Sequence, residues 1–231
     1  MKLLPLVLSS ITAALLAGCT TAPPASTEPV RVRLLALNDY HGNLKPLPNA
    51  LRVADPANPG RTVAVPTGGV DQLATLLAQQ REGQANHVFV AAGDLVGATP
   101  LLSSAFHDEP TIEAMNLLGL EASALGNHEL DRGPAEALRR QKGGCHPKDG
   151  CTGPTPYAGA KFQYLAANTV RDATQATLLP PTTMVTIGGV KVGFIGETLQ
   201  RTPTVVAVAN TRGLTFLEEA STANRYADST K

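Results

Sequence analysis

The sequence predicts an α/β layered domain, with buried strands inside and helices outside. Two observations carry this. Short apolar runs rich in Val, Leu, Ile and Ala alternate along the chain with segments whose apolar residues recur at helical spacing. Apolar residues make up 43% of the 231 positions, enough to bury a core. Trp is absent, Phe and Tyr number five and four, and the core must therefore be aliphatic. With 21 Gly and 18 Pro, the connections must be many and the elements short.

Each element has its own local signal. Val30 to Leu37 alternates and is β-branched at its start, which predicts a strand stopping at Asn38-Asp39. After the Gly68-Gly69 break, Val70, Leu73, Leu76 and Leu77 share one face of a helix whose polar side carries Asp71, Arg81 and Glu82. His87 to Ala92 is a short apolar run ending in Gly93-Asp94, a second strand. Pro110 opens a helix through Ile112, Met115 and Leu118, closed by Gly119. Ala122 to Leu125 is a third strand, ending in Gly126-Asn127, and Pro134 starts a helix to Lys142. Tyr164 to Asn168 is strand-like, and Met184 to Ile187 and Val190 to Ile195 flank Gly188-Gly189 as a hairpin. No internal repeat is present.

Charge and termini bound the function. Lys and Arg number 19 against 19 Asp and Glu, which argues against a basic surface for a nucleic-acid polymer. The long uncharged apolar stretch lies at the start, Leu3 to Gly18 after Met1-Lys2, which excludes a polytopic membrane protein. It closes in Leu16-Ala17-Gly18-Cys19 and resembles a bacterial lipoprotein signal over residues 1–18, cleaved before Cys19 and lipidated there. The other reading is an ordinary secretory signal with Cys19 a bystander. Residues 19–29 read as a flexible tether. Outside the cytoplasm, Cys145 and Cys151 in a Gly- and Pro-rich loop are most simply a disulfide. Zinc held by Cys145, His146 and Cys151 is the alternative, but it lacks a fourth ligand. His87 and His107 read as solvated surface residues.

Three predicted strands end in clusters of metal-ligating type: Asn38-Asp39-Tyr40-His41-Gly42, Gly93-Asp94, and Gly126-Asn127-His128-Glu129. In open α/β sheets, sites gather beyond the carboxyl ends of the strands, so all three can converge. Asp39-x-His41, Gly93-Asp94 and Gly126-Asn127-His128-Glu129 resemble the calcineurin-like metallophosphoesterase signature. The flanking Leu95-Val96-Gly97-Ala98-Thr99-Pro100, Leu130-Asp131-Arg132-Gly133 and Val192-Gly193-Phe194-Ile195-Gly196-Glu197-Thr198 are similar to the bacterial 5'-nucleotidase/UDP-sugar hydrolase branch. The resemblance covers about residues 30–200.

The resemblance implies a layered metallophosphoesterase-like β-sandwich flanked by helices, with residues 30–231 as a partial catalytic domain, incomplete at its C-terminal side and lacking a C-terminal nucleoside-binding domain. It implies two divalent metal ions (Zn, Mn, Co or Mg), with Asp39 and His41 on one, Asp94 bridging both, and Asn127 on the second. His128 then stabilises or protonates the leaving group, Asp131 orients it, and Glu129 serves structure. The expected activity is phosphoester hydrolysis of extracytoplasmic nucleotides or nucleotide sugars by a monomer held to the membrane through its N-terminal lipid. The alternatives are a 2',3'-cyclic-nucleotide phosphodiesterase, a thiosulfohydrolase relative, or a non-catalytic lipoprotein remnant. After His128 the chain has one histidine, His146, so the closing histidines of the family are missing, and a truncated product with weak metal binding is the expectation.

Overall fold

The computed structural model describes residues 29–229; the predicted signal, Cys19 and most of the tether lie outside these residues. In chain order the elements are strands β1 (Arg33–Leu37), β2 (Leu47–Ala54) and β3 (Thr62–Thr67), helix α1 (Val70–Arg81), and strand β4 (His87–Ala91). Next come α2 (Leu101–Ser104), α3 (Glu109–Leu118), β5 (Ala122–Ala124), α4 (Pro134–Lys142), β6 (Gln163–Leu165) and β7 (Thr169–Arg171). The hairpin strands β8 (Thr182–Ile187) and β9 (Val190–Ile195) follow, then α5 (Val208–Thr211), β10 (Leu214–Phe216) and α6 (Glu219–Ser229).

Four strands form one parallel sheet in the order β1-β4-β5-β6. The paired strands β2-β3, β8-β9 and β7-β10 are antiparallel two-stranded units. One face of the sheet is sealed by helices. Leu77 of α1 and Ile112, Met115 and Leu118 of α3 share a cluster with Leu35, Leu37, Phe89 and Ala91. The opposite face is covered only in part. There Ala36, Val90, Ala122 and Ala124 line a cavity of about 340 Å³ with Phe194 and Ile195 of β9. The second layer of the expected sandwich is thus present among the described residues as the β8–β9 hairpin, and Asn168 holds the segment that follows β9. That fully buried amide donates to the Thr198 and Leu217 carbonyls and accepts from the Thr198 N–H.

The α4 helix is amphipathic in an unusual sense. Its Arg139 and Arg140 point inward, 9% and 1% exposed. Arg139 is paired with Glu109 at 2.6 Å and Glu136 at 2.8 Å, and Arg140 with Asp108 at 3.2 Å. Arg140 also donates to the Glu129 carbonyl, 3.1 Å away. Arg81, expected on a solvated face, instead donates to the Leu118 carbonyl at 2.8 Å and lies over the Phe89 ring.

Breaking a buried pair strands its partner in low dielectric. Arg140→Leu is therefore expected to destabilise the fold by about 3–5 kcal/mol in denaturant melts, because Asp108 is left unpaired. The Glu136 carboxyl adds an acid dependence. Burial raises its pKa, but the hydrogen bond from Arg139 and the charges of Arg140 and Arg139 outweigh this and hold it below the ordinary value of 4.5. A depressed carboxyl contributes stability that is complete above the ordinary value and is lost as pH falls through the lower folded one. The thermal midpoint should drop below pH 4.5, and Glu136→Gln should lower it at pH 7 while flattening that drop.

Candidate active site

Because β1, β4 and β5 are parallel neighbours, their carboxyl ends share one edge, and the three polar clusters leave it side by side. Main-chain hydrogen bonds clip the first two loops together. The N–H groups of Asp39, His41 and Gly42 donate to the carbonyls of Gly93, Asp94 and Leu95 at 3.2, 3.1 and 2.9 Å. A buried side chain of the third loop ties it to the second. Glu129, 1% exposed, accepts the Asp94 N–H (3.0 Å) and Gly126 N–H (2.8 Å) on Oε2, and the Leu95 N–H (2.8 Å) on Oε1. Burial, with the charge of Asp94 adding to it, pushes the Glu129 carboxyl up to about 7.

The loops approach so closely that glycine is required between them. A Cβ on Gly126 would lie 2.1 Å from Asp94 Oδ1, and one on Gly93 would lie 2.6 Å from the Gly126 nitrogen. Asp39, His41 and Asp94 all take φ near +50°. This left-handed backbone is costly for side-chain-bearing residues and persists only where the surroundings impose it.

The side chains then meet. The His41 Nδ1–H donates to the Gly97 carbonyl at 2.7 Å, which leaves the Nε2 lone pair facing outward, 3.6 Å from Asp39 Oδ1. Asp94 Oδ1 accepts the His128 N–H at 2.9 Å. His41, Asp94 and His128 each offer a ligand atom, and these atoms lie within 4.8 Å of one another. Asn127 starts a single 3₁₀ turn, His128–Leu130, and is half-buried at the same edge. That turn brings His128 Nδ1 to 2.7 Å from Asp131 Oδ2. Burial opposes the charged imidazole, but the hydrogen bond and charge of Asp131, with Asp94 and Glu129, outweigh it and raise the His128 pKa above the ordinary value. Beside Asp39 opens a cavity of about 600 Å³, walled by Tyr40, Leu47, Leu73 and Leu76.

Asp39, His41, Asp94, Asn127, His128 and Asp131 are therefore gathered at one edge. Cys145 and Cys151 are joined as a disulfide away from it, within the loop after α4; Cys19 lies outside the described residues. Three supports escaped the sequence: the Gly97 carbonyl under His41, Arg140 beneath the His128 turn, and Asn210, whose amide donates to the Asp131 carbonyl at 2.5 Å.

No protein-family model matches the chain. An uncharacterised protein of the pqq-V 5' region of Acinetobacter calcoaceticus is 40% identical over 191 residues, covering 78% of this chain and 94% of that protein. Endonuclease YhcR of Bacillus subtilis is 33% identical over 93% of this chain, and the 5'-nucleotidase of Vibrio cholerae is 30% identical over 85% of it. Among solved structures, the 5'-nucleotidase precursor of Thermus thermophilus superposes on 86% of the chain with a TM-score of 0.66 at 26% identity, and on 34% of its own length. The chain belongs to the bacterial 5'-nucleotidase branch of the calcineurin-like metallophosphoesterases. The calcineurin-like phosphoesterase YfkN of Bacillus subtilis shares the fold of this metallophosphoesterase, with a TM-score of 0.61 at 23% identity over 86% of the chain and 57% of YfkN. The metallophosphoesterase chain spans 17% of YhcR and 31% of the Vibrio enzyme.

Glu129→Gln tests the clamp. An amide cannot accept all three N–H groups, so at least one buried donor loses its partner at about 1–3 kcal/mol. The expected result is a lower melting temperature together with weaker cation uptake at the Asp94 cluster, read by metal analysis after dialysis.

Proposed function

We propose that this metallophosphoesterase is a metal-dependent phosphoester hydrolase of 5'-nucleotidase type, acting on nucleotides or nucleotide sugars outside the cytoplasm. The observation that carries the reading is the convergence of His41, Asp94 and His128, with Asp131 locked onto the far nitrogen of His128. The residues fit divalent cations. His41 is held in the tautomer that presents a lone pair, and carboxylates stand on either side of it. Asp39 and His41 would hold one ion, Asp94 would contribute to both, and Asn127 would serve the second. A mixed carboxylate, imidazole and amide set suits Zn, Mn, Co or Mg.

When bound, the ions supply Lewis-acid activation of the phosphoryl group and of the attacking water. The chain's own part is positional and protonic. The neutral Asn127 limits negative charge where an anionic phosphate must approach. Asp131 accepts from His128 Nδ1–H and favours the imidazolium, which would give its Nε2 proton to the ester oxygen as the P–O bond breaks and become the neutral ring. Asp131 favours a nucleotidase over the cyclic-nucleotide and thiosulfohydrolase relatives, which tend to depart from Asp at that point. Four protein donors are few for two ions, so the 231-residue chain should hold its metal weakly. The Leu16-Ala17-Gly18-Cys19 signal supports export and anchoring through a lipid on Cys19, with the enzyme acting as a monomer.

Two substitutions separate the roles. Asp94→Asn should reduce uptake of both ions, measured by metal analysis, and abolish phosphate release. His128→Asn should leave metal content at the wild-type level while phosphate release from AMP or UDP-glucose falls by about 10²–10⁴-fold. Hydrolysis of DNA with AMP untouched would overturn the reading in favour of the activity named for YhcR.

A further inference from the structure

A second group of donors lies outside the candidate active site. His107 sits in the turn between α2 and α3, and His146 and Asp149 belong to the loop closed by the Cys145–Cys151 disulfide. Sequence reading set both histidines aside, yet the fold stacks their rings with centroids 3.8 Å apart. Their side chains are only 13% and 16% exposed. One carboxylate oxygen, Asp149 Oδ2, lies 3.1 Å from His107 Nε2 and 3.0 Å from His146 Nδ1. All three ligand atoms fall within 4.8 Å of one another.

We propose that His107, His146 and Asp149 form a second cation site, for a borderline transition-metal ion such as zinc. Bonds of 2.0–2.1 Å at a tetrahedral zinc place neighbouring ligand atoms about 3.3 Å apart, close to the two spacings seen here. Two imidazoles with one carboxylate favour zinc, nickel or copper over magnesium or calcium. Burial, then the nearby His146 and Arg132, hold His107 below the ordinary histidine value, so its ring is neutral at pH 7. The disulfide shortens the search by fixing the loop that carries two of the three ligands. Asp149, with its side chain 62% exposed, opens the remaining coordination position to solvent.

The geometry also states what loading must change. Arg132 Nη1 lies 3.0 Å from His107 Nδ1. A guanidinium only donates, so Nδ1 accepts and the ring proton sits on Nε2, the nitrogen the ion needs. Binding moves that proton to Nδ1 and displaces Arg132, and His146 Nδ1 must release the Asp149 N–H that it accepts at 3.2 Å. The rings, now 8° from parallel, must tilt so that both lone pairs meet at one point. Arg132 therefore opposes the ion, and a residue able to accept from Nδ1–H should help it.

Zinc titration with metal counting after dialysis tests this on the 231-residue chain. Wild type should take up one equivalent that Asp94→Asn leaves in place, which separates this site from the candidate active site. His146→Gln should lose that equivalent, Asp149→Asn should weaken it about tenfold, and Arg132→Gln should tighten it about tenfold. Circular dichroism of each variant establishes that it is folded. An unchanged zinc count in folded His146→Gln and Asp149→Asn, or weaker binding in Arg132→Gln, would overturn the proposal.

Discussion

The Glu129 carboxylate is the constraint on which the site depends. Where β4 and β5 stop, the loops that follow them present N–H groups with no ladder partner. Glu129 accepts three of these at once and so replaces the missing ladder with a single buried carboxyl group. The Asp94 and His128 side of the site hangs from this node. Asp94 is placed by its own N–H, His128 is placed by Asp94, and Asp131 follows one 3₁₀ turn later. Arg140 reaches the same turn from below, grasping the Glu129 carbonyl and the Asp108 carboxylate together.

This arrangement explains why strain and close packing are concentrated at one edge. Three polar residues in the left-handed region and four glycines without room for a Cβ, Gly42, Gly93, Gly97 and Gly126, are what it takes to bring three chain reversals within reach of one point. The cost is met by the helix-covered side of the sheet, where aliphatic side chains from α1 and α3 make a rigid floor. Function and stability are thus divided by face and by end, with the floor on one face and the chemistry at the carboxyl edge.

Much of this was legible in the residues, for a physical reason. The strands β1, β4 and β5 are short apolar runs cut off by Asp, Gly-Asp and Gly-Asn, and a parallel sheet leaves those endings no place but one shared edge. The α4 boundaries follow from Pro134 and Gly143. What stayed hidden was non-local. The β2–β3 hairpin has no clean alternation and no tight turn pair, and Leu51, Val53 and Val63 remain exposed on it. The pairing of Arg139 and Arg140 with Glu109 and Asp108 carries no local signal, because the partners lie 30 and 32 residues earlier in sequence. The stacking of His107 on His146 depends on how a turn and a disulfide loop meet, which no spacing encodes.

The order of the parallel sheet has one more consequence. Strands β1, β4, β5 and β6 sit in space in the same sequence in which they occur along the chain. Each new strand can therefore add to an edge already formed, without waiting for a later segment to be inserted between earlier ones. Assembly can proceed as the polypeptide emerges, N-terminal part first. By the time residue 140 is free, the three loops, the Glu129 clamp and the Arg140 that supports it are all available, before the hairpin β8–β9 exists. The chemical edge is thus an early product of growth from one end.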